Sequence, residues 1–186
     1  MSILVTGGTG FIGSHTSLLL LEKGFNLYII DSEINSSKNV LKKISSILKF
    51  SDKDFLEKIN FFKGDLRSIS FIEKVFNSAE TKNEPIQAVF HFAGLKSVYD
   101  SNKYPFEYWE NNFVGTLNLL KIMEFSSCRT LIFSSSATIY KSVKKEKIKE
   151  KDLIGPINTY GETKSTIENY YMLHLKASQI NGKLQT

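Results

Sequence analysis

The segment Thr6-Gly7-Gly8-Thr9-Gly10-Phe11-Ile12-Gly13 constrains this chain more than any other. It follows a short β-branched and apolar run, Ile3–Thr6, and opens a longer apolar stretch, Phe11–Lys23, that Gly24 ends. Glycines at 7, 10 and 13 allow a sharp turn, backbone approach to a pyrophosphate, and close packing of helix on strand. A helix beginning there aims free N–H groups and the positive end of its dipole at phosphate. The next apolar run, Asn26–Ile30, ends at Asp31, eighteen residues beyond Gly13. A carboxylate at that point accepts hydrogen bonds from both hydroxyls of an adenosine ribose and repels a 2′-phosphate. The pattern therefore predicts a site for NAD rather than NADP.

The remaining sequence keeps the alternation that a βαβ unit requires. Strands are expected at Asn60–Lys63, Ala88–Phe92 and Thr130–Ser134. Helical sequence is expected from about Ser37 to Phe50, then at Ile69–Ser78, Pro105–Phe125 and Asn158–Ala177. Runs such as Ala88-Val89-Phe90 and Leu131-Ile132-Phe133 suit strands buried on both faces. The fold class is α/β, a Rossmann-type doubly wound parallel sheet, with residues 1–186 as one dinucleotide-binding domain.

Composition removes several alternatives. No apolar run reaches the roughly 18 residues of a membrane span, and the N-terminus lacks the basic start and apolar core of a signal peptide, so a cytoplasmic protein is expected. Cys128 is the only cysteine, which excludes an intrachain disulfide and a cysteine-rich zinc site. The net charge of +5 raises the question of nucleic acid. The densest lysines, however, alternate with glutamates in Lys144-Lys145-Glu146-Lys147-Ile148-Lys149-Glu150-Lys151, as in a solvated loop, and no nucleic-acid partner is expected. His15, His91 and His174 are too scattered for a metal site. His15 is read as a local packing or capping group, His91 as a satisfied core group and His174 as a helix-surface residue. Trp109, with Tyr104, Phe106 and Tyr108, is read as a helix packing face.

Chemistry gathers near the C-terminus. Tyr160-Gly161-Glu162-Thr163-Lys164 sets a phenol and an ammonium at i and i+4, on one helix face. A free phenol, with a pKa near ~10, is a poor base at neutral pH, but a fixed cation beside it stabilises the phenolate. Tyr160 is then the candidate base, and Lys164 the cation that stabilises its phenolate. Ser136, at the end of the fifth expected strand, is the candidate hydroxyl partner upstream of this pair.

Several motifs carry a family resemblance. The spacing Gly-x-x-Gly-x-x-Gly, the pair Asp65-Leu66 and the runs His91-Phe92-Ala93-Gly94-Leu95-Lys96, Asn111-Asn112-Phe113-Val114-Gly115-Thr116 and Phe133-Ser134-Ser135-Ser136-Ala137-Thr138-Ile139-Tyr140 occur in order. Together with Tyr160-x-x-x-Lys164 they resemble the N-terminal part of extended short-chain dehydrogenases/reductases, and among these the UDP-glucose 4-epimerases. The resemblance implies NAD held by Gly7, Gly10, Phe11, Ile12, Gly13, Asp31, Asn35, Ser36, Asp65, Leu66, Phe92, Ala93, Gly94, Lys96, Asn111, Ser134, Tyr160 and Lys164. It implies Ser136 and Tyr160 on a UDP-sugar, no metal, and reversible oxidation at the sugar's C4 through a 4-keto intermediate, with a homodimer as the expected assembly.

Departures from that family are also legible. Lys141 replaces the glycine usual after Tyr140, Tyr99 stands where glycine is common, and Lys43–Lys58 is several residues longer than usual. Nothing up to Thr186 resembles the family's nucleotide-sugar domain, so a form lacking that domain is expected. Two rival readings are another nucleotide-sugar enzyme, such as a dehydratase or decarboxylase, and a non-catalytic NAD-binding or nucleic-acid-binding module. A dehydratase is expected to carry an acid pair within the segment Ser134–Thr138, which holds none.

Overall fold

The computed structural model describes residues 1–141 and 147–180. Five parallel strands, β1 (Ser2–Thr6), β2 (Asn26–Asp31), β3 (Ile59–Lys63), β4 (Ile86–His91) and β5 (Thr130–Phe133), form one sheet in the order β3-β2-β1-β4-β5. The order reverses direction at β1, so the crevice for a ligand opens at the carboxyl ends of β1 and β4. The doubly wound parallel sheet expected from the sequence is the fold of this chain.

Two compact units make up the chain. The first comprises Met1–Gly94 with Leu117–Ser134, and the second Leu95–Thr116 with Ser135–Thr186. In the first unit, alternate strand residues feed two cores. Ile3, Val5, Leu27 and Ile29 pack with Leu21 of α1 (Phe11–Glu22) and with Leu41 and Ile44 of α2 (Asn39–Leu48). Leu4, Tyr28, Ile30 and Val89 pack instead with Ile72, Val75, Phe76 and Ala79 from one later helix, and Leu119, Ile122 and Met123 from another. Period-2 alternation thus clothes each sheet face with helices.

Three features depart from the sequence reading. Asp52–Lys58 forms a further helix, α3, between α2 and β3, and this accounts for the extra length of Lys43–Lys58. Ser51 Oγ accepts from the Asp54 N–H while the Asp54 carboxylate accepts from the Ser51 N–H, a reciprocal cap at the helix start. After α4 (Ile69–Thr81), a short helix α5 (Val98–Lys103) stands where the sequence analysis assigns no element, again opened by a serine, Ser97, that accepts from the Asp100 N–H. The single helix expected over Pro105–Phe125 is instead a turn, α6 (Pro105–Tyr108), a π-helical stretch (Trp109–Val114), and α7 (Gly115–Phe125).

In the second unit a 3-10 turn (Ala137–Ile139) precedes α8 (Thr159–Ile180). Lys141 donates its N–H to Leu153 O and Gly155 donates to Ile139 O, tying the loop ends together. Lys141 is absent from the residues of positive φ, so a lysine fits where the family favours glycine. The described part of the lysine/glutamate stretch, 147–151, is exposed as expected, whereas 144–146 lie outside the described residues, as does the side chain of His174. Among the described residues no helix is long and apolar enough to cross a membrane.

Candidate functional site

The first unit carries a phosphate-type loop. Gly7 has φ +67°, and a Cβ on it would lie 2.7 Å from Ala93 N. A Cβ on Gly13 would lie 2.2 Å from Gly7 O, so only glycine lets α1 start this close to the turn. The N-terminus of α1 has no side-chain cap and no acid in its first turn, leaving its positive end unopposed. Phe11 and Ile12 are largely exposed, so what this turn offers is backbone rather than side chain. His15 bonds locally to Phe11 O, as the sequence suggested.

Asp31, at the end of β2, is only 7% exposed. Its Oδ2 accepts from the Thr9 N–H at 3.0 Å, and its Oδ1 from the Glu33 N–H at 2.9 Å and Ser36 Oγ at 2.8 Å. Thr9 Oγ1 lies 2.8 Å from Ser36 Oγ. The loop, the acid and Ser36 are therefore one network, while Asn35 stands exposed beside it. Thr9 was not singled out in the sequence, and its place inside the glycine triplet was the available signal.

Asp65 follows β3. Its carboxylate accepts from the Arg67 backbone and from the Arg67 guanidinium, with Nη2 at 2.7 Å. That cation holds the Asp65 carboxyl below the usual carboxylate range. Leu66 is buried in the core, and Asn118 Nδ2 donates to both Leu66 O and Arg67 O. After β4, Phe92 donates its N–H to Thr6 O, Ala93 to Thr6 Oγ1, and Gly94 has φ +154°. His91 is the satisfied core group expected, its Nδ1 2.6 Å from Thr6 Oγ1, and Ser134 donates its N–H to His91 O.

The second unit holds the tyrosine and lysine. Both lie on α8, with Lys164 Nζ 6.0 Å from the centre of the Tyr160 ring. Lys164 is 4% exposed, and burial pushes its ammonium down to about 8, with Glu168 one turn on acting in the opposite direction. It is still cationic near neutral pH. A Cβ on Gly161 would meet Thr138 O at 2.5 Å, so this glycine lets α8 begin directly against the 3-10 turn. Ser136 caps that turn, accepting from the Thr138 N–H and hydroxyl.

The π-helical stretch separates two adjacent asparagines. Asn111, the residue named by resemblance, is half-buried and donates to Glu107 O. Asn112, which was not singled out, is 2% exposed: its Oδ1 accepts from the Leu95 N–H at 2.8 Å and its Nδ2 donates to Leu95 O and Thr163 Oγ1. It ties the residue before the exposed Lys96 to α8. The sequence could not assign this clamp, because which of two adjacent asparagines faces inward depends on how the helix is seated. The expected aromatic packing face also divides: Tyr108 is buried, whereas Phe106 is 84% exposed.

The fold and these two clusters define a Rossmann-type protein with a tyrosine–lysine helix. The chain belongs to the GDP-mannose 4,6 dehydratase family, whose profile matches residues 4–181, and so to the nucleotide-sugar epimerases and dehydratases. It is 43% identical over 171 residues to the bifunctional protein GAL10 of Pachysolen tannophilus, covering 90% of this chain and 23% of that protein. It is 44% identical over 169 residues to the UDP-glucose 4-epimerase of Yersinia enterocolitica, covering 90% and 47%. The crystal structure of UDP-glucose 4-epimerase from Bifidobacterium longum in complex with NAD⁺ and UDP superposes with a TM-score of 0.83 at 36% identity, covering 95% of this chain and 50% of that one. The chain thus spans about half the length of such relatives, or less.

Proposed function

We propose that residues 1–186 are the NAD-binding domain of an enzyme that interconverts UDP-glucose and UDP-galactose at C4 of the sugar. NAD fits the residues present: two glycines whose Cβ atoms would collide with backbone, an uncapped helix N-terminus, and a buried acid at the end of β2. In this reading Gly7, Gly10 and the N–H groups of Phe11, Ile12 and Gly13 meet the pyrophosphate, and Asp31 with Asn35 and Ser36 meets the adenosine ribose. Asp65 and Leu66 receive the adenine. Phe92, Ala93, Gly94, Lys96, Asn111 and Ser134 line the rest, and no metal is required. When bound, NAD supplies a reversible two-electron acceptor for the carbon that is oxidised.

The chain's own groups handle the proton. Tyr160 Oη takes it from the C4 hydroxyl as that carbon becomes a ketone and returns it when the alcohol re-forms. Lys164, charged at neutral pH, stabilises the phenolate and holds the nicotinamide ribose. Ser136 hydrogen-bonds the sugar oxygen and orients it towards Tyr160. The single observation that carries this reading is the tyrosine with a buried lysine one turn along α8, in a chain 44% identical to a UDP-glucose 4-epimerase.

A second copy of the chain is the proposed partner. Trp109 meets Phe113 edge-on, Phe113 meets Tyr170 in the same way, and Phe106 lies exposed nearby in sequence, an apolar surface that suits helix pairing. A cytoplasmic setting fits Cys128, a free and buried thiol that burial pushes up to about 11 and so renders inert.

Turnover of UDP-galactose to UDP-glucose in a coupled assay tests the proposal. Activity abolished by Tyr160→Phe is the expected result. A 4-keto-6-deoxy sugar product would identify a dehydratase instead, and NAD binding without turnover in the whole protein would leave only a binding module.

A further inference from the structure

We propose that Glu33 is a second determinant of dinucleotide choice, acting by occupying Lys63, the cation that stands beside the ribose acid. The inference rests on the reading that Asp31 receives the adenosine ribose. In the pairing of β2 with β3, Asp31 is level with Lys63. Residues level in neighbouring strands project to the same face, so Lys63 leaves the sheet beside the acid that would meet the ribose. A lysine there, on its flexible four-carbon stem, is the group that a 2′-phosphate would seek.

That lysine is already engaged. Glu33 Oε2 lies 3.2 Å from Lys63 Nζ, and the glutamate side chain is only 14% exposed. Glu33 is itself held at three points. Its Oε1 accepts from the Lys38 N–H at 2.7 Å, its own N–H donates to Asp31 Oδ1 at 2.9 Å, and its backbone takes a left-handed φ of +58°. A non-glycine residue adopts that conformation where surrounding contacts impose it, and here the Asp31 contact does so. One residue therefore braces the ribose acid through its backbone and neutralises the adjacent cation through its side chain. Asp31 alone repels a 2′-phosphate; Glu33 adds a second negative charge and withdraws a neighbouring cation that could compensate.

The test is isothermal titration of NAD and NADP into the wild-type chain, Glu33→Gln, Lys63→Met and Glu33→Gln/Lys63→Met, each checked for folding by circular dichroism. Glu33→Gln keeps the shape and the Lys38 contact but frees Lys63. It is expected to tighten NADP about tenfold, the low end for a hydrogen bond between charged groups, and to leave NAD within about twofold. The double variant is expected to lose that gain. Lys63→Met, which leaves Glu33 uncompensated, is expected to weaken NADP further without affecting NAD, and this keeps the test decisive should Glu33→Gln fold poorly. An NADP affinity unchanged in both single variants, or a gain that survives in the double variant, overturns the role of the pair. A wild-type chain that binds neither dinucleotide sinks the cofactor reading itself; one that binds NAD while the variants show no shift sinks only the Glu33 proposal.

Discussion

The phosphate-type loop of the first unit and the tyrosine–lysine helix of the second build their sites from different materials. The loop works through backbone: glycines that admit no Cβ, an uncapped helix end, and one buried acid that accepts from two main-chain N–H groups. The helix works through buried side chains, a lysine with a depressed pKa and an asparagine that satisfies a neighbouring peptide. Backbone devices depend on residue type at fixed spacing, so they are written openly in a sequence. Side-chain devices depend on which residue is buried, and that emerges only with the fold.

The comparison implies that the two sites should fail differently, and the largest expected effect separates them. Tyr160→Phe should lower turnover by about 10²–10⁴-fold, the usual contribution of a positioned acid–base group, while NAD affinity stays within a fewfold. Steady-state kinetics beside calorimetric titration measures both. A parallel loss of NAD affinity would mean that the two sites are not separable in this way.

Lys164→Met comes next and should move stability and activity in opposite directions. The folded pKa of about 8 lies below the ordinary lysine value of 10.5, so the folded state binds its proton more weakly than the unfolded chain does. The penalty for burying the charge is full below pH 8, and it fades as pH rises from 8 to 10.5, where the folded lysine is already neutral. Burial of the charge therefore opposes folding near pH 7, and the gain from methionine should fade as pH rises from 8 towards 10.5. Urea denaturation across that range is the check, alongside the expected loss of turnover. A gain that grows with pH would contradict the assignment.

The adjacent asparagines give a sharper and smaller contrast. Asn112→Leu leaves the N–H and the C=O of half-buried Leu95 without this partner and should cost about 2–3 kcal/mol. Asn111→Ala, at a half-buried position, should cost less than about 0.5 kcal/mol and express itself in NAD affinity instead. Thermal unfolding of the two variants side by side tests the difference, and equal losses would remove the clamp role from Asn112.

These pairs also explain what the sequence could and could not disclose. The sheet, the glycine turn and the place of Asp31 followed from glycine spacing and apolar runs, because strand burial and the βα turn leave direct marks in residue type. Helices α3 and α5 went unread although each opens on Ser-x-x-Asp, a capping pattern at 51–54 and 97–100 that is a legible start signal. The π-helical stretch carries no comparable mark, and which of Asn111 and Asn112 is buried emerges only with the packing of that stretch. Glu33 was hidden for another reason: its partner Lys63 is thirty residues away in sequence and adjacent only through the pairing of β2 with β3.

The measurement closest to the central claim is calorimetric titration of NAD and NADP into the wild-type chain and Asp31→Ala. The account predicts that wild type prefers NAD by at least about tenfold, since Asp31 bonds the ribose hydroxyls and repels a 2′-phosphate. Asp31→Ala should weaken NAD more than NADP and so shrink the ratio towards one. Equal affinity of the wild-type chain for the two dinucleotides, or an undiminished preference in Asp31→Ala, would contradict it.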